Sequence, residues 1–206
     1  GNQRSGARAY DYFGYSVAID NNKIIVGSPY YDQISSPYVG YTAGVVWTFD
    51  YDGSNETKIT PSNHGSGDAF GWSVAAAGGK IIVGAPFEDS GFTNAGMAYI
   101  FDTDGSNEVQ VQATTRATNA YLGYAVATNG TKFAAGSERY NGNRGYVNVF
   151  NADGTGKVEI TASDAASSDY FGRSIAMNST QIAITAPADD DNGRTNSGSV
   201  YVYDLD

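Results

Sequence analysis

The chain has 206 residues, a net charge of −10 and a sequence pI near 4.4. That balance argues against nucleic acid or an anionic membrane as the main partner, because both repel an acidic surface. Cysteine is absent, which removes disulfides, thiolate metal sites and cysteine nucleophiles, and no apolar run is long enough for a membrane-spanning helix.

The first predicted elements follow Asp11-Tyr12-Phe13-Gly14-Tyr15. Ser16 to Ile19 alternates small and apolar residues and reads as a strand, closed by a turn at Asp20-Asn21-Asn22. Ile24-Ile25-Val26 is a continuous apolar run, as expected of a strand covered on both faces, and Gly27-Ser28-Pro29 ends it. A loop over 30–42 follows, crowded with Tyr30, Tyr31, Tyr38 and Tyr41. Val45 to Phe49 is the third strand. Asp52-Gly53 signals a hairpin, because glycine accepts positive φ at no steric cost, and Thr57 to Thr60 is a polar outer strand.

The same order returns three times. The second copy reads Asp68-Ala69-Phe70-Gly71-Trp72, strands at Val74 to Ala76 and Ile81 to Val83, Gly84-Ala85-Pro86, then Met97 to Phe101, Asp104-Gly105 and Val109 to Val111. The third reads Tyr121-Leu122-Gly123-Tyr124, strands at Tyr124 to Ala127 and Phe133 to Ala135, Gly136-Ser137-Glu138, then Tyr146 to Phe150, Asp153-Gly154 and Val158 to Thr161. The fourth reads Asp169-Tyr170-Phe171-Gly172-Arg173, strands at Ser174 to Met177 and Ile182 to Ile184, Thr185-Ala186-Pro187, then Val200 to Tyr203. The recurring glycine steps by 57, 52 and 49 residues from 14 to 71, 123 and 172. A period near fifty in a strand-rich chain points to one propeller blade per repeat.

The predicted fold is therefore all-β: one domain over 1–206, a β-propeller of four four-stranded antiparallel blades at about 8–62, 63–113, 114–163 and 164–206. The last copy stops at its third strand, so residues 1–7 are expected to close that blade with a short fourth strand. The alternatives are two chains pairing into a larger ring and a piece of a longer array. The start at Gly1 without Met fits processed ends or a domain cut from a longer chain.

Phe-Gly, a strand pair and then Gly-Ala-Pro resembles the FG-GAP repeat of the integrin α-subunit head, and the copies are also similar to FG-GAP proteins of bacteria and marine phages. Phe13-Gly14 with Gly27-Ser28-Pro29, and Phe70-Gly71 with Gly84-Ala85-Pro86, carry the match; Leu122, Gly136-Ser137-Glu138 and Thr185-Ala186-Pro187 depart from it. The resemblance implies an extracellular, cell-surface or virion-associated propeller. It also implies calcium loops between the first two strands of a blade, but Asp20-Asn21-Asn22, Ala77-Gly78-Gly79, Thr128-Asn129-Gly130-Thr131 and Asn178-Ser179-Thr180 hold too few carboxylates for a hard cation. No metal or other cofactor is expected. Asp189-Asp190-Asp191-Asn192 is the remaining acidic cluster, a surface cation site or a solvated loop, and Asp50/Asp52 and Asp102/Asp104 read as hairpin turns.

The binding candidates are Tyr15, Trp72, Tyr124 and Arg173, which follow the four repeated glycines and fall at equivalent places of the blades. In integrins similar aromatics form a cage that grips a partner's basic side chain, which implies a cation–π cup here. Arg173 interrupts that set and could instead stack on its neighbours; the competing reading is that these rings simply fill the axis. The Tyr-rich loop is a second contact surface or is pinned on its own blade. No catalytic residue is assigned: His64 is the sole histidine, in a polar stretch without a serine or aspartate arrangement, and no phosphate loop or nucleophile elbow is present. Asn55, Asn129 and Asn178 begin matches to the glycosylation sequon. The expectation is a non-enzymatic adhesion module for a glycan or surface protein, with particle assembly or self-association as the alternative and a hydrolase as the remote one.

Overall fold

The computed structural model describes residues 10–31 and 42–205. Among the described residues, fifteen strands form four antiparallel sheets. The first holds β1 (Ser16–Asp20), β2 (Lys23–Ser28), β3 (Val45–Asp50) and β4 (Thr57–Ile59). The second holds β5 (Ser73–Ala77), β6 (Lys80–Ala85), β7 (Met97–Asp102) and β8 (Val109–Val111). β9 (Val126–Thr128), β10 (Lys132–Gly136), β11 (Val147–Asn151) and β12 (Val158–Ile160) make the third; β13 (Ile175–Met177), β14 (Gln181–Ala186) and β15 (Ser199–Asp204) make the fourth. Strands pair in chain order within each sheet, and the inner strands β1, β5, β9 and β13 neighbour one another in turn. These are the blades of a propeller-like fold. The expected strands are present with shifted ends; β9, for example, begins at Val126 rather than Tyr124. Residues 1–7, expected to complete the last blade, lie outside the described residues, and that sheet has three strands among them.

The core lies between sheets, in three clusters that correspond to three junctions. Ile81, Val83, Tyr99 and Phe101 of the second sheet meet Ile25, Val46 and Ile59 of the first. Ile82, Ala98, Ile100 and Val111 meet Phe133, Tyr146 and Phe150 of the third. Ala134, Val147 and Val149 meet Ile182 and Ile184 of the fourth. One strand thus feeds two cores, which is why Ile81-Ile82-Val83 is continuously apolar instead of alternating. Tyrosine fills these junctions because its ring packs while its hydroxyl reaches out. Tyr99 donates to Asn63 Oδ1, Tyr201 to Asp164 Oδ1 and Tyr203 to Thr161 O, at 3.0, 2.6 and 3.0 Å. Each acceptor lies on the linker entering that blade, so the hydroxyls tie linker to sheet.

The repeated motifs are two halves of one contact between blades. Phe70, Leu122 and Phe171 form isolated parallel bridges with Gly44, Gly96 and Gly145 of the preceding repeat. Phe70 then packs edge-on against Tyr99 and Phe101 at 5.3 and 6.0 Å. The adjoining Gly71, Gly123 and Gly172 carbonyls lie where a Cβ on Gly27, Gly84 or Gly136 would be. Glycine is required at those three strand positions by close approach of the next blade. Ser16 and Ser73 Oγ donate to the Gly71 and Gly123 carbonyls at 2.8 and 2.7 Å.

The ends differ. Thr185 pairs with Val200 as Gly27 pairs with Val46 and Gly84 with Ala98, so it occupies the docking position of the fourth blade. Its Oγ1 instead accepts from the Ser174 N–H at 3.1 Å. At the other end a Cβ on Gly14 would have no atom of the described residues within 4 Å. Val17 and Ile19 stay 64% and 62% exposed, and Val200 and Val202 65% and 59%, although the corresponding Val74, Ala76, Ala98 and Ile100 join the cores. Among the described residues, the contact that would seal the fourth sheet to the first is not made.

Candidate functional site: an aromatic arc ended by an ion pair

Four equivalent turns place the residues that follow the repeated glycines. Tyr12, Ala69, Tyr121 and Tyr170 have φ between 53° and 58°. Each accepts a backbone hydrogen bond from the residue three positions on, so Tyr15, Trp72, Tyr124 and Arg173 all emerge from the same tight turn ahead of an inner strand. Repetition of one local geometry aligns the four side chains. Tyr15 and Trp72 rings are 4.9 Å apart, Trp72 and Tyr124 are 5.4 Å apart, and the Arg173 guanidinium lies 4.8 Å from the Tyr124 ring. The four sequence candidates are thus brought together in one row.

Residues behind Gly27-Ser28-Pro29 and Gly84-Ala85-Pro86 of the first two repeats widen the row into an arc. Tyr30 packs against Tyr12 at 5.1 Å and against Tyr15 and Trp72 at 6.4 Å. Phe87 bridges Trp72 at 5.2 Å and Tyr121 at 5.4 Å. Tyr12 and Tyr15 are exposed and the others half-buried. Partial burial pushes the Tyr15 hydroxyl up from its usual range, as do Tyr30 and Tyr124, while Arg173 pulls it down. Aromatic edges and faces at these separations leave apolar surface for a ligand to cover.

The arc ends in charge. Arg173 Nη1 donates to both carboxylate oxygens of Glu138, at 2.8 and 3.0 Å, and Glu138 is fully buried. That bond raises the Arg173 guanidinium further above its ordinary range. Arg173 therefore stacks on its neighbour and is held from below, so the Tyr124 end of the expected cation–π cup already contains a cation of the chain's own. Glu138 was missed as a site residue; the signal was its departure from proline in Gly136-Ser137-Glu138.

The remaining candidates are local supports. Tyr31 packs on Trp47 at 5.8 Å with Lys58 Nζ 4.3 Å from its ring, which pins that part of the loop to the first blade; Tyr38 and Tyr41 lie outside the described residues. His64 Nδ1 donates to Pro61 O at 2.9 Å. Asp52 accepts from Ser54 and Asp50 from Asn55, repeated as Asp104 with Ser106 and Asp102 with Asn107, so these carboxylates brace hairpins. Asn129 and Asn178 likewise accept from backbone N–H groups two residues on. Asp189 Oδ2 lies 2.7 Å from the Tyr201 oxygen and shares that hydroxyl's single proton with Asp164, and Asp190 accepts from the Asn196 N–H at 2.7 Å. Among the described residues no group of three or more His, Asp or Glu side chains could hold a metal ion, and no helix is long and apolar enough to cross a membrane. Asp68 and Glu88 are buried carboxylates that the sequence did not single out; burial pushes both up from the usual range.

A family profile described as FG-GAP repeat matches residues 4–49, 54–101 and 155–203. The matches leave out 102–154, where Leu122 and Glu138 depart from the motif. No curated protein matches the chain in sequence.

Proposed function

The chain belongs to the FG-GAP repeat family, and from that premise we propose that it is a recognition module acting on a cell or virion surface, with the aromatic arc as its contact face and a glycan as its first partner class. FG-GAP repeats mark adhesion-type modules that are typical of extracellular proteins and typically non-catalytic. The observation that supports the reading is the row Tyr15–Trp72–Tyr124, extended by Tyr12, Tyr30 and Phe87 and ended by Arg173. Flat rings in a partly exposed line match the apolar faces of sugar rings. They are also the residue types that dominate protein contacts.

A glycan array probed with the chain, beside Trp72→Ala shown to be folded, tests this. Selective binding lost in the variant supports the reading. Binding retained by the variant moves the site elsewhere, and absence of any glycan binding leaves a surface protein as the partner to seek. Assembly into a larger particle is the second reading. It is favoured by the exposed valines and isoleucine on the outer faces of the first and fourth sheets.

A further inference from the structure

The third repeat carries a feature that the aromatic arc does not use. Segments 117–121 and 139–143 wall an open cleft of about 540 Å³, within the size range of small-molecule sites. Its lining includes Asn119, Tyr121, Arg139, Tyr140, Asn141 and Asn143. The Arg139 guanidinium lies 5.2 Å from the Tyr121 ring, and Tyr140 is fixed edge-on against buried Tyr146 at 4.9 Å. Asn141, Gly142 and Asn143 have φ of 50°, 71° and 64°, so the chain doubles back and lines one wall with amide side chains.

Arg139 is anchored but unspent. Its Nε reaches Glu138 at 3.5 Å, while Glu138 is already satisfied by Arg173 at 2.8 and 3.0 Å. Among the described residues the Arg139 Nη atoms have no hydrogen-bond partner, and the side chain is 49% exposed. Arg139 is the charged residue in the lining of the cleft, so its guanidinium sets the sign of the ligand that the cleft attracts.

We propose that the cleft binds an acidic saccharide, a sugar ring that bears a carboxylate. Arg139 takes the carboxylate through its two-nitrogen fork, and the Asn141 amide, Asn119 Nδ2 and Asn143 Oδ1 meet ring hydroxyls; Asn119 Oδ1 already accepts from Asn94 and Asn143 Nδ2 already donates to the Tyr170 hydroxyl. A guanidinium suits a carboxylate because the planar fork matches two oxygens. Amides suit hydroxyls because each both donates and accepts. The site adjoins the arc through the Phe87–Tyr121 contact. It rests on the glycan reading of the arc and borders it at Tyr121, but its charge recognition depends on Arg139, which the arc does not use.

Titration calorimetry with trigalacturonate, against its neutral methyl ester, tests the proposal on the whole chain. The expected result is binding of the acid about tenfold tighter than of the ester. Arg139→Gln should weaken it by about tenfold and Arg139→Lys by less, because lysine keeps the charge without the fork. Val158→Ser, at an exposed position of β12 outside both the cleft and the arc, should leave it unchanged. Unchanged melting temperatures for both Arg139 variants would show that Glu138 remains held by Arg173. Equal binding of acid and ester, or full competition by inorganic phosphate, would overturn the saccharide-carboxylate assignment. Binding lost in Trp72→Ala but kept in Arg139→Gln would overturn the cleft and support the arc. No binding of trigalacturonate would overturn the proposal and leave the arc to be judged by the glycan array.

Discussion

The junction between the second and third sheets and the free face of the first sheet are made from the same motif, yet they have opposite fates. At the junction, Leu122-Gly123 docks on Gly84, and a Cβ on Gly123 would come within 2.6 Å of the Met97 carbonyl. At the free face Phe13 is half-buried and a Cβ on Gly14 would meet none of the described residues. The difference teaches that the motif is not a property of one blade. Phe-Gly is a plug, Gly-Ala-Pro supplies its seat, and each is completed only by a neighbour. Thr185 fills the seat in the fourth blade, so its outer face cannot accept a Phe-Gly plug in the way the other three do.

The largest test of this contrast is a pair of glycine substitutions. Gly84→Ala forces a Cβ into the Gly123 carbonyl and should cost more than about 3 kcal/mol. Gly14→Ala incurs only the strain of its positive φ of 91°, about 1–2 kcal/mol. Similar losses in chemical denaturation would sink the plug-and-seat account. Phe70→Ala comes next: Phe70 is fully buried and its loss should cost about 3–5 kcal/mol, whereas Phe13→Ala should cost about 1–2 kcal/mol because less of that ring leaves water. Arg173→Ala leaves the fully buried Glu138 carboxylate with only the long Arg139 Nε contact, at a cost of about 3 kcal/mol. Arg173→Ala combined with Glu138→Gln should recover part of it, and no recovery would mean that the pair is not the cause.

A smaller effect concerns pH. Burial raises the Glu88 carboxyl, so the protonated form favours the folded state. Its contribution is present below the unfolded value and is lost as pH rises through the raised one. Glu88→Gln should therefore raise stability at pH 7 by about 1 kcal/mol and change little at pH 4, as melting curves at the two pH values would reveal. The smallest effect is expected at the ends. Val17→Lys with Ile19→Lys should shift stability by less than about 0.5 kcal/mol if that face meets water. A loss above about 2 kcal/mol, or a fall in mass by light scattering, would mean that the face is covered in solution by another copy or by the chain's own fourth blade.

Much of this was legible one repeat at a time. Asp52-Gly53 makes its hairpin because the bonds involved lie within five residues. Ile24-Ile25-Val26 forms its strand because a short apolar run has few other ways to be buried. Tyr15, Trp72, Tyr124 and Arg173 could be singled out because equal turns recur at equal places. Glu138 could not be assigned a role, because its partner Arg173 is 35 residues away in the next repeat. Nor could the cleft be read, since its two walls are adjacent only after β9 and β10 pair.

By itself, the sequence determined the strands, their turns, the repeat and hence the family, all of which follow from local periodicity and backbone preference. The tertiary structure alone decided what neighbouring repeats do to each other: which glycines are seats, which tyrosine hydroxyls find linkers, and where an arginine meets a buried carboxylate. The physical reason is range. Backbone conformation is settled within a few residues, whereas a contact between blades joins residues some fifty positions apart, and nothing in either segment alone states the distance at which they will meet.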